Sequence, residues 1–503
     1  MKAKIYILLL SLLLCFFVYP SSFIHPKDTL PDNNDTRLIT YIINQVQINT
    51  LNGNSIFYGT YFAPEKNTLT YSDLFLTTAT LSLPLRLFTS DPILIFNLIW
   101  IIGFILTLYT SFIFFKNLTN DHLTALLGAI VFNLSGIHLH YYAHFQIFNL
   151  WIVFAALLTT NKYINTNKSK YLYIYLALFS LQLFESIFTT YLLGFASVFL
   201  FANTVIKQKP KLHPLSLFFP ISWLAYLWPY YQTHLAFPEA ERSIHDAAHN
   251  SLSLIGYFTH HQATLSLLLL LISLIIFLRK KEPNPGQHPI TNMSVLSLFL
   301  FSSLMSLGPV LKLIDKTLKP FSVFGLEWPI PLPYSAFYYL FPGFQGFRTP
   351  SRFMILTLLS LVIILVANIS NFKLKNITKT ILILFFLTLL SLENKLPLSG
   401  YPINLNPPSV YNSLYYLPKD SVLLELPIKL WNMSDHQVES VRSLYSLDHG
   451  LRRLGGYSGF ASMEWIKLVE EINSEGLSET VKQKLKSRGV THIIQNNTLS
   501  QLR

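Results

Sequence analysis

The sequence predicts an all-α polytopic membrane protein of about eleven transmembrane helices. A large first outer loop and a small C-terminal α/β extracytoplasmic domain complete the expected fold. Three observations predict it. Hydrophobic residues make up 51% of the 503 residues and charged residues 12%, against roughly 25% charged in soluble chains. Apolar runs recur along the first 393 residues. Beyond them the charge density doubles: 22 of the last 110 residues are charged, against 40 of the preceding 393. So apolar a chain, with 40 Phe and 27 Tyr and a mean hydropathy of +0.41, falls outside the disordered and nucleic-acid-binding classes. Its single cysteine, Cys15, excludes intramolecular disulfides and thiolate zinc sites.

The first apolar run, Ile5–Tyr19, follows a basic start like the core of a signal peptide, but Tyr19-Pro20-Ser21-Ser22 is a poor cleavage site. It reads as an uncleaved first span. Further runs are Pro92–Phe115, Leu123–Ile137, Gln146–Thr160, Tyr171–Ile206, Leu215–Tyr230, Ala263–Leu278, Met293–Gly308, Phe353–Ile369 and Thr380–Leu392. Tyr171–Ile206 is too long for one pass of about 20 residues and short for two. Lys162, Lys168 and Lys170 precede it, and Lys207, Lys209 and Lys211 follow it. With both clusters on one side the chain crosses twice, turning near Glu185.

Eleven passes then put fifteen basic residues on the inner side, among them Lys2, Lys4, Lys116, Arg279, Lys280, Lys281, Lys373, Lys375 and Lys379. Only Asp121 and Glu282 oppose them there. That bias is the positive-inside pattern, so the expected placement is a multi-pass protein of the cell membrane with a cytoplasmic N-terminus. Residues 1–393 form the membrane domain, with outer loops 20–91, 231–262 and 309–351, and residues 394–503 form the extracytoplasmic domain. In that tail Val422–Pro427 reads as a strand closed by proline. Ser462–Asn473 reads as a Ser-capped amphipathic helix, and Lys482–Arg488 as a helix stopped by Gly489 before the strand Val490–Ile494.

No P-loop, dinucleotide-binding, zincin or nucleophile-elbow motif occurs. Acid gathers instead in the first outer loop. Asp28, Asp32 and Asp35 lie within eight residues. Asp35 opens a stretch with Leu38, Ile39, Ile42, Ile43, Val46, Ile48 and Leu51 at roughly helical spacing. By itself Asp35 reads equally well as a helix N-terminal acid favoured by the dipole.

A first span followed by an acid at the start of an outer-loop helix resembles the GT-C superfamily of membrane glycosyltransferases, and more narrowly the chain is similar to a prokaryotic multi-pass subgroup. The matching stretches are Asp35-Thr36-Arg37-Leu38, Phe62-Ala63-Pro64, Leu69-Thr70-Tyr71-Ser72-Asp73-Leu74, His140 to Gln146, Pro342-Gly343-Phe344 with Phe347 to Phe353, and Gly455-Gly456-Tyr457-Ser458-Gly459-Phe460. The resemblance implies a polyprenyl-phosphate-linked sugar as donor, membrane lipid as its medium, and a glycan, lipid or protein as acceptor. It places Asp35 in the catalytic position. The adjacent acidic pair of some members is missing, since Asn34 and Thr36 flank Asp35.

Sugar transfer with inversion needs a base beside the acceptor hydroxyl, and partial burial is expected to raise such a carboxyl toward working pH. Asp73 is the second catalytic candidate; it also fits an N-cap of the helix following it. The leaving phosphate needs cations. Arg348 and Arg352 stand on the outer side against the positive-inside trend, and a guanidinium fork matches phosphate oxygens; both are assigned to the donor phosphate. His140, His144, Gln146 and Glu185 are candidate substrate contacts. Glu185 also fits a surface turn. His140 and His144 have the spacing of a metal pair on one helix face, beside the readings of sugar contact and membrane interface. No acidic third ligand lies nearby, so no metal ligand is assigned and no cofactor is certain; a divalent metal stays open but unsupported. His245, His249, His260 and His261 are equally ambiguous, and the glycine-rich Gly455–Phe460 is either a turn or a ligand-facing loop.

The expected function is therefore a membrane glycosyltransferase. A flippase for lipid-linked glycans is the first alternative, but transporters place charge at mid-membrane, and these spans are almost free of it. A non-catalytic envelope assembly factor is the second.

Overall fold

The computed structural model describes residues 2–208, 213–279, 290–314, 316–323 and 325–502. Lys209, Lys211, Lys280, Lys281 and Glu282 of the charge argument lie outside them. Each apolar run is helical, as lipid requires of any segment that must satisfy its own backbone. Pro92–Thr119, Phe145–Thr166, Ile187–Lys207, Pro350–Asn371 and Asn376–Glu393 are long and apolar enough to cross a membrane, and Ile5–Val18, His122–Leu134, Thr264–Leu278 and Asn292–Ser306 are shorter apolar helices. Ser169–Glu185 and Phe218–Ala236 are helical but more polar. The chain is a multi-pass membrane protein.

The helix Met354–Asn371 stands at the centre of the bundle. Within Pro350–Asn371, 89% of the most apolar window is buried, against 22% for Asn376–Glu393 at the edge. Small and hydroxylated residues let its neighbours approach closely. A Cβ on Gly128 would lie 2.7 Å from Val366 Cγ1. Asn368 Nδ2 donates to the carbonyl (2.7 Å) and hydroxyl (2.9 Å) of Ser273, and the hydroxyls of Ser302 and Thr357 meet at 2.9 Å. At one end of the bundle Lys379 Nζ pairs with Asp121 Oδ2 at 2.6 Å.

The long inter-helix segments gather at the other end. The helix Asp35–Leu51 is nearly all buried. Its polar side does not face water as an amphipathic pattern suggests: Arg86 covers it, with Nε on Gln47 Oε1 at 2.8 Å and a second bond to Asn44 Oδ1. The strand Thr29–Leu30 pairs antiparallel with Tyr401–Pro402, tying the first segment to the tail.

The expected turn near Glu185 falls at Ser186, whose backbone is extended between the helices Ser169–Glu185 and Ile187–Lys207. Glu185 is not a surface turn residue. It is 1% exposed, and its carboxylate accepts from the N–H (2.8 Å) and hydroxyl (2.7 Å) of Thr78 in the first turn of the helix Leu76–Leu81. The first segment folds back over the break and supplies donors that the sequence does not reveal.

The tail is a small α/β unit. Its four-stranded sheet runs Arg452–Arg453, Val422–Glu425, His492–Gln495, Thr498–Gln501; the first three strands are parallel and the last antiparallel. Ser462 caps Met463–Glu475 through Trp465 N–H at 3.3 Å, and Gly489 (φ +78°) ends the segment after Glu479–Ser487. At the centre Arg453, 1% exposed, binds Glu425 Oε2 at 2.5 Å and Glu439 Oε2 at 2.6 Å. Arg442 adds a 2.9 Å bond to Glu439 Oε1. The sheet edge continues onto the first segment, with Arg453 N–H on Thr60 O at 2.8 Å and Ala63 N–H on Arg453 O at 3.0 Å.

Candidate active site

Asp32, not Asp35, caps the helix Asp35–Leu51. Its Oδ1 accepts from Thr36 N–H at 2.8 Å and Asn34 N–H at 3.2 Å. The carboxylate of Asp35 is left to face a cavity of about 1430 Å³. Its Oδ2 lies 3.1 Å from His144 Nε2, and its Oδ1 accepts from the Tyr457 hydroxyl at 3.2 Å. Burial acts to raise this carboxyl. The hydrogen bond and charge of His144, then the charges of Arg352 and Arg348, outweigh it and hold the group down at about 2. The expectation of a raised Asp35 is thus corrected: the site around it is basic.

Asp35, Asp73, His144, Gln146, Arg348 and Arg352 all line this one cavity. They come from three stretches far apart in the chain. Asp73 does cap a helix, but not the one that follows it. Its Oδ2 accepts from the Ser186 hydroxyl at 2.9 Å and its Oδ1 from Ile187 N–H at 3.1 Å, so it holds the start of Ile187–Lys207. Burial raises its carboxyl against these bonds and against Arg352.

Arg352 stands at the foot of the central helix, where Thr349-Pro350 turns the chain upward. Its guanidinium carbon lies 5.7 Å from the centre of the Phe188 ring. Its Nε is buried without a partner, as are His144 Nδ1 and Gln146 Oε1. Neither Arg348 nor Arg352 makes an ion pair among the described residues. Arg352, His144 and Gln146 all line the cavity, and each of these unpartnered atoms has bonding capacity left for a polar group there.

His140 and Glu185 do not line the cavity. Glu185 braces Leu76–Leu81, as described above. His140 and His144 share no helix face, because the helix Gly136–Leu139 ends before His140 and His144 has non-helical dihedrals (φ −96°, ψ 80°). His140 instead meets His260 and His261, with one ring nitrogen of each within 4.8 Å of the others.

The cavity also holds a third arginine, Arg242, which the sequence reading left without a role. Burial and then the neighbouring Arg348 lower its pKa. It too is a cation on the side expected to be outer, the signal that singled out Arg348 and Arg352, but Glu239 and Glu241 beside it hid that signal. Of these acids, Glu239 accepts from Met463 N–H at 2.8 Å and Glu241 Oε1 lies 3.0 Å from His234 Nε2.

Gly456 to Phe460 form one wall, which settles the loop as cavity-facing. A Cβ at Gly459 would lie 2.2 Å from the carbonyl oxygen of Tyr71, and one at Gly456 would lie 2.7 Å from the Phe62 ring. Only glycine permits this docking. It brings Tyr457 to Asp35 and stacks Phe460 on Tyr71 at 4.3 Å. Away from the polar end, Phe179, Leu183, Phe195, Val198, Trp223 and Leu227 line an apolar extension between helices. Val198 is 58% exposed, so this extension opens on the apolar flank of the bundle.

No family model matches the chain, and no curated protein sequence does. Among solved structures it is similar to the arabinofuranosyltransferase AftD from Mycobacteria (13% identity, TM-score 0.53), over 100% of this chain and 36% of that one. The chain thus spans about a third of that protein's length. It also aligns with the apo oligosaccharyltransferase of Archaeoglobus fulgidus at 11% identity and TM-score 0.46, over 98% of this chain and 69% of that one. The likeness to the mycobacterial protein is one of fold.

Proposed function

We propose that the chain is an inverting membrane glycosyltransferase. It moves a sugar from a polyprenyl-phosphate donor to an acceptor hydroxyl on the outer face of the cytoplasmic membrane. One observation carries this reading: an uncommitted pair of arginines and an anionic carboxylate share a cavity whose apolar end opens along the helices. The polyprenyl chain lies in the apolar extension. Its phosphate meets Arg348 and Arg352, with Arg242 beside them. The acceptor enters from the tail side and gives its proton to Asp35 as its oxygen attacks the anomeric carbon. The sugar–phosphate bond breaks, and the arginines take up the charge left on the phosphate.

An Asp35 held at about 2 is by itself a weak base. The donor itself corrects that. A bound phosphate offsets the fields of Arg352 and Arg348, so the carboxyl rises part of the way as the substrate arrives, with the larger influence of His144 still in place. Tyr457 and His144 hold the carboxylate in place meanwhile. Asp73 stays with the start of Ile187–Lys207 and sets the wall beside Arg352.

The test is sugar transfer by purified protein from a short-chain polyprenyl-phosphate sugar. Asp35→Asn keeps the shape of the site and is expected to abolish transfer while leaving donor binding. Unchanged transfer by this variant would overturn the proposal.

A further inference from the structure

Behind the wall that carries His144, three imidazoles from two segments meet. His140 follows the helix Gly136–Leu139, and His260 and His261 follow the helix Gly256–Thr259. Ring centroids lie 5.1 Å apart for His140 and His260, 5.0 Å for His140 and His261, and 4.7 Å for His260 and His261. The planes cross at 52°, 81° and 82°, edge-to-face contacts that bring a ring nitrogen of each histidine close to the others. The backbones are pressed together as well: a Cβ on Gly136 would lie 2.2 Å from the His261 carbonyl oxygen. His261 is 3% exposed. Its Nε2 lies 3.3 Å from the Tyr141 hydroxyl, while its Nδ1 is buried with no hydrogen-bond partner.

One ring nitrogen of each histidine lies within 4.8 Å of the others, with no carboxylate in the group among the described residues, and the buried Nδ1 of His261 lacks a partner. A shared electron-pair acceptor satisfies this set of lone pairs. We propose that His140, His260 and His261 bind one borderline divalent transition-metal ion, zinc before others, with His261 Nδ1 among the ligands and water in the remaining position. Imidazole donors suit such ions and not magnesium or calcium. At about 2.0–2.1 Å per bond, tetrahedral nitrogens sit roughly 3.4 Å apart. His140 and His260 are exposed and free to turn by the small amount required. Tyr141 on Nε2 is the outer partner that fixes a ligating histidine's tautomer.

The ion clips the segment that carries His144 and Gln146 to the segment around residues 256–262. It is a positioning element, and it stands whether or not the transferase reading holds.

The test uses the full chain in detergent, without a polyhistidine tag. Zinc alone is the probe, in competition with a chromogenic chelator, followed by metal analysis. One zinc per chain is expected, and cobalt substitution is expected to give the visible absorption of a tetrahedral site. His140→Ala and His260→Ala, both at exposed positions and so tolerable for folding, are each expected to weaken zinc binding more than about tenfold; loss of an outer partner alone costs about 10–100-fold. His245→Ala, at an exposed histidine outside the cluster, is expected to leave it unchanged. Absence of stoichiometric zinc, or wild-type affinity in both cluster variants, would overturn the assignment. So would a loss seen in His245→Ala.

Discussion

Arg352→Gln bears most directly on the proposed reaction. The guanidinium rests over Phe188, has a buried Nε without a partner and pairs with no carboxylate among the described residues. Without it Asp35 keeps His144 and Tyr457, and Asp73 keeps Ser186 and Ile187, so its loss falls on the ligand more than on folding. A guanidinium has five N–H donors, and here they are uncommitted. Removal of one well-placed donor from a developing oxyanion costs about 10²–10³ in kcat, roughly 2.7–4 kcal/mol. We expect a loss of that size. Arg352→Lys keeps the charge without the fork and is expected to fall between the two. The assay is the initial rate of sugar transfer from a short-chain donor, with thermal melting as a check on folding. A second signature follows from Asp35. Since Arg352 helps to lower that carboxyl, the acid limb of the pH–rate profile is expected to move to higher pH in Arg352→Gln. A folded variant with kcat within about threefold of the wild type and an unmoved acid limb would refute the reasoning.

Arg453→Met takes the central cation from the buried Glu425 and Glu439 and leaves Arg442 alone to offset both; it is expected to destabilise the tail by up to about 3–5 kcal/mol, read as early proteolysis or melting of that unit. Asp73→Ala removes the acceptor at the start of Ile187–Lys207; a loss of about 0.5–2 kcal/mol in melting is expected, together with weaker donor binding. Asp35 is depressed to about 2, so its stabilising contribution is complete above the ordinary carboxyl value near 4 and fades as pH falls toward 2. Wild-type melting is therefore expected to drop more steeply below about pH 4 than that of Asp35→Asn.

Helices were legible because lipid demands long apolar runs, and the split of Tyr171–Ile206 was legible because lysines bracket it. The arginines at 348 and 352 stood out for the same electrostatic reason. What could not be read was partnership across the fold. Asp73 looks like a local cap, yet its donors come from Ser186 and Ile187, more than a hundred residues on. Tyr457 reaches Asp35 from the far end of the chain. His140 and His144 suggested a pair by spacing alone, but a turn between them sends one to Asp35 and the other to His260 and His261. Glu185 looked solvent-facing because nothing local announces that Thr78 will cover it.

Arg352 sits at the foot of the most enclosed helix of the bundle, while the opposite wall is a glycine-dependent loop resting on a peripheral sheet. In the proposed transferase the anion anchor is therefore mounted on the most enclosed helix among the candidate spans, and the side assigned to the incoming alcohol on a replaceable panel. Exchange of that panel between relatives would retune which alcohol is glycosylated and leave the grip on the carrier as it stands.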